Sequence, residues 1–305
     1  MFSRNSIISV LKHYAAILFI VFISFSCNNS GNENNKIIIF HAGSLSVPFG
    51  EIIKAYKAEN PNVEIFAESS GSVAAARKIT DLNKPCDILA VADFLVIDNM
   101  MIPAYADSNF AFASNEMVVA YTGNSKYADS INISNWFNIL LKEDVTIGRS
   151  DPDADPCGYR NIFIFKLAGL FYNQTELTDK LINKKSTTIR PKEVDLLALL
   201  ETGNIDYTII YKSVAIQHSL NYIQLPDEIN LSNPEHEKYY NKVSTIINGS
   251  TPSEKIGING SSIVYSFCFP KNSPNNSQAR KFASFLKDKE KGGKILEANG
   301  MKVLK

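Results

Sequence analysis

Cysteine, histidine and tryptophan are scarce in this chain, and an excess of charge of either sign is missing. Its 305 residues include four cysteines, four histidines and one tryptophan. The 31 Lys and Arg residues balance 31 Asp and Glu residues, so the formal net charge is zero. That balance excludes a polybasic surface for nucleic acid or for anionic membranes. Beyond Cys27 only Cys86, Cys157 and Cys268 remain. An odd set at wide spacing builds neither a CxxC metal site nor a disulfide framework, and these three read as core or capping thiols. His41 and His218 lie in the body of the chain without an HExxH-type pairing, which excludes the common helical zinc motif.

Long apolar runs are also lacking. The apolar stretch 15–25 is too short to span a bilayer as a mature helix. With Arg4 and Lys12 before it and Ser24-Phe25-Ser26-Cys27 after it, it reads as an export signal. It resembles a bacterial lipoprotein signal, which makes residues 1–27 a leader and Cys27 the lipidated first residue of the exported protein. Residues 28–35, rich in Asn, Ser, Gly and Glu, read as a flexible tether. The chain that follows is long enough for two α/β domains.

The first part of that chain repeats one scheme. An apolar strand at 36–40 leads through His41-Ala42-Gly43-Ser44-Leu45 into a helix with Phe49, Ile52, Ile53 and Tyr56 on one face. A strand at 63–66 leads through Ser69-Ser70-Gly71-Ser72 into a helix at 73–82, and a third strand at 87–91 ends at Asp93. Alternating strand and helix predicts parallel sheets whose ligands sit at the carboxyl ends of the strands. Both Gly/Ser loops fall at that edge. Each offers hydroxyls and free backbone N–H groups at a helix start, which suit an oxyanion.

A third helix start is the most informative stretch, 148–160, reading G-R-S-D-P-D-A-D-P-C-G-Y-R. Pro152 and Pro156 forbid continuous helix or sheet, and Pro156 suits the first turn of a helix over 161–171. Asp155 then falls at the N-cap, where it either caps the helix or faces whatever that end binds. The strand at 116–121 reads as the crossing into a second domain. An apolar helix at 196–201 ends at Gly203, strands follow at 206–211 and 222–225, and 173–188 reads as a polar connection. Residues 226–260 read as loop with one strand at 243–247. A strand over 262–269 precedes a return to the first domain near 273, closed by helices at 279–286 and 293–298. The expected organisation is therefore one lobe from 36–113 plus 273–305 and a second from 114–272, hinged around a central site.

Several motifs together resemble the solute-binding proteins that deliver molybdate and tungstate to ABC transporters, in particular the tungstate/molybdate branch common in archaea. They are F-H-A-G-S-L at 40–45, E-S-S-G-S-V-A at 68–74, C-D-I-L-A-V-A-D at 86–93 and S-N-E-M-V-V-A-Y-T at 114–122. D-P-D-A-D-P-C-G-Y-R at 151–160, R-P-K-E-V-D-L-L-A-L-L-E-T-G at 190–203, D-Y-T-I-I-Y-K-S-V-A-I-Q-H at 206–218 and L-P-D-E-I-N-L at 225–231 complete the set. The resemblance implies a two-lobed type II solute-binding fold of class α/β, each lobe a mainly parallel sheet flanked by helices. It implies no cofactor, a molybdate or tungstate ligand, a permease partner, a monomer, and attachment to the membrane through Cys27. It places oxyanion-binding hydroxyls at Ser44 and Ser70, with Ser72 the alternative in the second loop, and at Tyr211. It places the two carboxylates that meet the metal centre at Asp155 and Glu201. Without that role, Glu201 is a solvated residue in a last helical turn and Tyr211 a core tyrosine.

Two carboxylates repel a dianion unless their oxygens bond the electron-poor metal at its centre. Carboxylate is a hard oxygen ligand suited to that bond. Phosphate or sulfate is the alternative ligand, and phosphate suits the pair better because it can donate a proton to one carboxylate. A secreted hydrolase would use Ser44 or Cys157 as nucleophile, but there is no G-x-S-x-G elbow and no motif that supplies a histidine base.

Overall fold

The computed structural model describes residues 35–249 and 254–304. The signal, Cys27 and the tether up to residue 34 lie outside the described residues. Thirteen strands occur among the described residues: β1 (Lys36–Ala42), β2 (Glu64–Ser70), β3 (Ile88–Val91), β4 (Phe110–Ser114), β5 (Met117–Tyr121), β6 (Ile147–Ser150) and β7 (Thr187–Arg190). The remainder are β8 (Tyr207–Tyr211), β9 (Asn221–Gln224), β10 (Ser244–Asn248), β11 (Lys255–Asn259), β12 (Val264–Cys268) and β13 (Lys302–Val303). They form a six-stranded sheet in the order β13-β4-β12-β3-β1-β2, a five-stranded sheet in the order β7-β6-β8-β5-β9, and the hairpin β10-β11. Each large sheet, flanked by helices, is the centre of one lobe. Among the described residues no helix is long and apolar enough to cross a membrane.

Local patterning explains the first lobe. β3 is an unbroken apolar run, ILAV, and all four residues are buried, as expected for a strand covered on both faces. β1 pairs in parallel with β2 from Lys36↔Glu64 to Ala42↔Ser70, which brings the ends of both strands to the same edge. The helix Ser46–Glu59 buries Pro48, Phe49, Ile52 and Tyr56, one face at helical spacing. That face meets the helix Asn276–Lys287, whose Phe282 ring lies edge-on to Phe49 and Tyr56 at 6.4 and 5.2 Å.

Both sheets are mixed rather than mainly parallel. β12 runs antiparallel to β3 and to β4, and β5 runs antiparallel to β8 and β9. The chain passes from the first sheet to the second between β4 and β5. The return comes earlier than residue 273. β12 sits in the first sheet between β3 and β4, so the chain is back in the first lobe by Val264. Alternation in 262–269 signals a strand but carries no information on which sheet takes it. The reason it joins this one is packing: Phe267 stacks on Phe110 at 5.3 Å, and Tyr265 lies edge-on to Phe112. The polar segment 173–188 also holds more structure than its composition suggests, namely the helix Leu177–Ile182 and the start of β7. Its helix is held by two buried leucines, Leu177 and Leu181, one turn apart.

Candidate functional site

The turn ahead of the helix Pro156–Phe171 is tightly tied. The Ala154 and Asp155 amides donate to the Asp151 carbonyl at 3.1 and 2.9 Å, and the Asp151 amide donates to the Arg190 carbonyl at 2.8 Å. Pro156 opens the helix and Asp155 is its N-cap, with Oδ1 accepting from the Cys157 amide at 3.3 Å. A side chain at Gly158 would place Cβ 2.5 Å from Pro152 N. The glycine lets the helix start fold back against the turn.

The second Asp155 oxygen reaches a different segment. Oδ2 accepts from the Glu193 amide at 3.0 Å. Glu193 opens a short 3-10 turn, Glu193–Leu196, and its side chain is 1% exposed, as is that of Asp155. In a 3-10 turn side chains three apart eclipse, so Glu193 points with the fully buried Leu196. Burial pushes the Glu193 carboxyl well above the usual carboxylate range, and the Asp155 charge beside it pushes the same way. Burial also raises Asp155, against the hydrogen bonds from Glu193, Ser150 and the Cys157 amide. Raised this far, the Glu193 carboxyl keeps its proton and can share it with Asp155, and the Ser44 hydroxyl is its other hydrogen-bonding neighbour. Two carboxyls buried side by side, one of them held protonated, are costly for the protein alone.

The first lobe faces this pair with backbone and neutral hydroxyls. Gly43 and Ser44 lie in a 3-10 turn at the end of β1. A Cβ on Gly43 would stand 3.0 Å from Glu193 Oε2. Ser44 is 1% exposed, accepts from the Tyr265 hydroxyl at 2.9 Å, and its hydroxyl lies beside the Glu193 carboxyl. Because its oxygen takes Tyr265's proton, its own proton is free to donate into the site. Gly71, at the N-cap of the helix Ser72–Thr80, approaches the opposite turn so closely that a Cβ would fall 2.2 Å from the Ala154 carbonyl oxygen. The Ala74 amide donates to that same carbonyl at 3.1 Å.

Tyr211 ends β8 fully buried, its ring 5.7 Å from that of Tyr265. Its hydroxyl accepts from Arg160 Nη1 at 2.8 Å. Arg160, on the helix Pro156–Phe171, also reaches Asp93 of the first lobe.

The structure thus brings Ser44, Asp155 and Tyr211 into one buried neighbourhood. It does not bring Glu201 there. Glu201 is exposed at the end of the helix Leu197–Glu201, and Glu193, eight residues earlier, stands beside Asp155 instead. Ser70 is partly exposed, and its hydroxyl accepts from Lys78 Nζ at 3.0 Å. Ser72 is fully buried, with its hydroxyl accepting from the Ala92 amide at 3.0 Å. The second loop is shorter than the sequence suggests, since strand and helix claim all but Gly71.

Glu193, Tyr265 and Arg160 escaped the reading of the sequence. For Glu193 a signal was present: it begins the spacing Glu193, Leu196, Leu197, Leu200, a stripe whose other members are buried. A carboxylate on an apolar stripe is the informative exception. Tyr265 lies in an alternating strand with nothing to distinguish it from a core residue.

This architecture, two mixed sheets with a buried polar site where their loops meet, is that of a two-lobed solute-binding protein. The sequence profile of the bacterial extracellular solute-binding protein family matches residues 37–302, and the chain belongs to that family. It is 44% identical over 288 residues to an uncharacterized solute-binding protein of Petrotoga mobilis, covering 94% of this chain and 89% of the relative. It is 42% identical over 316 residues to the molybdate/tungstate-binding protein WtpA of Pyrococcus abyssi, covering 93% and 90%. Among solved structures it is similar to the periplasmic molybdate-binding protein of Azotobacter vinelandii. The TM-score there is 0.65 at 15% identity, over 88% of this chain and 100% of the other.

Proposed function

We propose that this chain captures molybdate or tungstate between its lobes and delivers it to the permease of an ABC transporter. The observation that carries this reading is the Asp155–Glu193 pair, two carboxyls buried side by side where the loops of the lobes meet. Facing sulfate, the ionised member of the pair repels and neither carboxyl has a metal centre to bond. Facing molybdate or tungstate, it can bond the metal centre and raise its coordination from four towards six. Ser44 and Tyr211 would donate to the oxyanion's own oxygens. The name of the Pyrococcus abyssi relative supports the same ligand.

A hydrolase fits the site poorly. The Cys157 thiol donates to the Ile209 carbonyl at 3.4 Å, and burial together with Asp155 and Glu193 pushes it well above its ordinary range, which holds it as an unreactive thiol. Ser44 has the Tyr265 hydroxyl and the Glu193 carboxyl as hydrogen-bonding neighbours, neither of which is a histidine base.

Calorimetry at neutral pH with tungstate, molybdate, sulfate and phosphate tests the reading. Tight binding of the first two and weak binding of sulfate is expected. Sulfate binding as tight as molybdate would sink the metal-bonding role. We further propose that Cys27 carries lipid and holds a monomer at the membrane surface. Metabolic labelling with palmitate is expected to mark wild type and not Cys27→Ser.

A further inference from the structure

A second pair of buried charges is shared between the lobes. Asp93 follows β3 in the first lobe and caps the helix Phe94–Met100, with Oδ1 accepting from the Leu95 amide at 3.0 Å. Its Oδ2 is met entirely from the second lobe, by Arg160 Nη2 at 3.0 Å and by the Tyr159 hydroxyl at 2.7 Å. Arg160 Nη1 donates twice, to the Ala92 carbonyl at 2.8 Å and to the Tyr211 hydroxyl at 2.8 Å. Asp93 and Arg160 are each 1% exposed. The guanidinium carbon also stands 5.6 Å from the centre of the Tyr211 ring.

Two consequences follow from this geometry. Each lobe alone contributes only half of the ion pair, so the pair can be complete only when the lobes are closed. The Tyr211 oxygen accepts from a guanidinium that has no lone pair to take a proton back, so the phenolic hydrogen must point elsewhere. We propose that Arg160 is a positioning residue: its pair with Asp93 locks the lobes together, and its bond to Tyr211 aims that phenol's proton at the captured oxyanion. The second half of this inference rests on the oxyanion-binding reading above. The first half does not.

Removing one partner of a buried pair leaves the other charge uncompensated on closing, whereas in the open form that charge is simply hydrated. Asp93→Asn is the cleanest probe, because asparagine caps a helix as well as aspartate does. It is expected to weaken tungstate binding on the order of 100-fold, chiefly through faster release, while the ligand-free melting temperature stays near wild type. Tyr159→Phe removes one neutral donor and is expected to cost up to roughly 10-fold. Arg160→Lys keeps a charge for Asp93 but loses the fork that also reaches Tyr211, and should fall between Asp93→Asn and wild type. The double variant Asp93→Asn/Arg160→Met should lose less than the product of its single variants. Wild-type affinity in Asp93→Asn, or an equal drop in melting temperature with and without tungstate, would overturn the lock. Should wild type bind neither anion, the functional reading falls and small-angle scattering of the ligand-free proteins decides the lock alone. A larger radius of gyration in Asp93→Asn keeps it, and equal radii overturn it.

Discussion

The two lobes contribute opposite kinds of material to the site. The first lobe brings absence: Gly43 and Gly71 have no side chain where a Cβ would stand 3.0 Å from Glu193 Oε2 and 2.2 Å from the Ala154 oxygen, and Ser44 adds one neutral hydroxyl. The second lobe brings the carboxyls Asp155 and Glu193 and the guanidinium of Arg160, all buried, and the first lobe's buried Asp93 serves to pair that guanidinium. The difference separates shape from chemistry. Glycines on one side decide whether the lobes can meet, and carboxylates on the other decide what they can meet around. A substitution in the first lobe should therefore weaken every ligand alike. One in the second should change which ligand is preferred.

The largest effect is expected at Gly71. In Gly71→Ala the added methyl collides with backbone, which cannot rotate out of the way, and closure must stop short. Overpacking of this kind costs about 3 kcal/mol or more when the neighbour is rigid, or roughly 150-fold or more in affinity. The loss should be the same for tungstate and molybdate, with the ligand-free melting temperature nearly unchanged because the open form has no collision. A ligand-dependent loss would break the division between shape and chemistry.

Next come the carboxylates. Glu193→Gln and Asp155→Asn each remove a proposed metal ligand, and affinity for tungstate should fall on the order of 100-fold, the top of the range seen when a metal site loses a supporting group. Affinity for sulfate should hold or rise, since repulsion falls. X-ray absorption at the tungsten edge should show six oxygens in wild type and fewer in Glu193→Gln. The same pair fixes a pH dependence of the closed, ligand-free form. Both carboxyls are raised above their unfolded values, so the folded state holds protons that the unfolded state has given up. Its stability is then full below the unfolded carboxylate range, near pH 4, and declines as pH rises through the raised values. The dependence belongs to the closed form and not to the open one, so the radius of gyration of ligand-free protein should rise from pH 5 to 8, and Glu193→Gln should flatten that trend.

How much of this was legible in the sequence depends on whether the signal is local. Asp155 was readable because a proline on either side of a strand–helix junction leaves few conformations, and the N-cap sits where those rules put it. The paired strands β1 and β2 and the first Gly/Ser turn after β1 were readable for the same reason. Glu193 was not chosen over Glu201 because the two lie in one acidic, leucine-rich segment, and what separates them is a 3-10 turn that aims one inward. The placement of β12 in the first sheet and the Asp93–Arg160 pair depend on contacts between residues far apart in sequence, for which single-sequence periodicity holds no information. The serine loop failed differently. Ser69 and Ser70 look like an oxyanion loop, but β2 extends through them to pair with His41 and Ala42 of β1.

That difference predicts unequal serines. Ser44→Ala removes a buried hydroxyl aimed at the carboxyl pair, and a donor to an ionised acceptor is worth about 1.5–3 kcal/mol. Affinity for any oxyanion should fall by roughly 10- to 150-fold. Ser70→Ala loses a partly exposed acceptor for Lys78, which keeps its 2.7 Å ion pair with Glu68, and should cost several-fold less than Ser44→Ala. Equal losses in calorimetry would put both loops on the ligand.

The smallest effect is the sharpest test of the carboxylate assignment. Glu201 and Glu193 have the same side chain, and they flank the same short helix. One is 1% exposed and bonded through its amide to Asp155, and the other is exposed at the helix end. A carboxylate at a helix C-terminus sits against the negative end of the dipole, so neutralising it is neutral or slightly stabilising. Glu201→Gln should move melting temperature by no more than the equivalent of about 0.5 kcal/mol and leave tungstate affinity, sulfate affinity and the tungsten-edge spectrum as in wild type. If instead Glu201→Gln abolishes tungstate binding while Glu193→Gln keeps it, the metal-facing carboxylate is Glu201. The segment 193–201 must then turn over on binding, because the buried position beside Asp155 belongs to Glu193 in this structure.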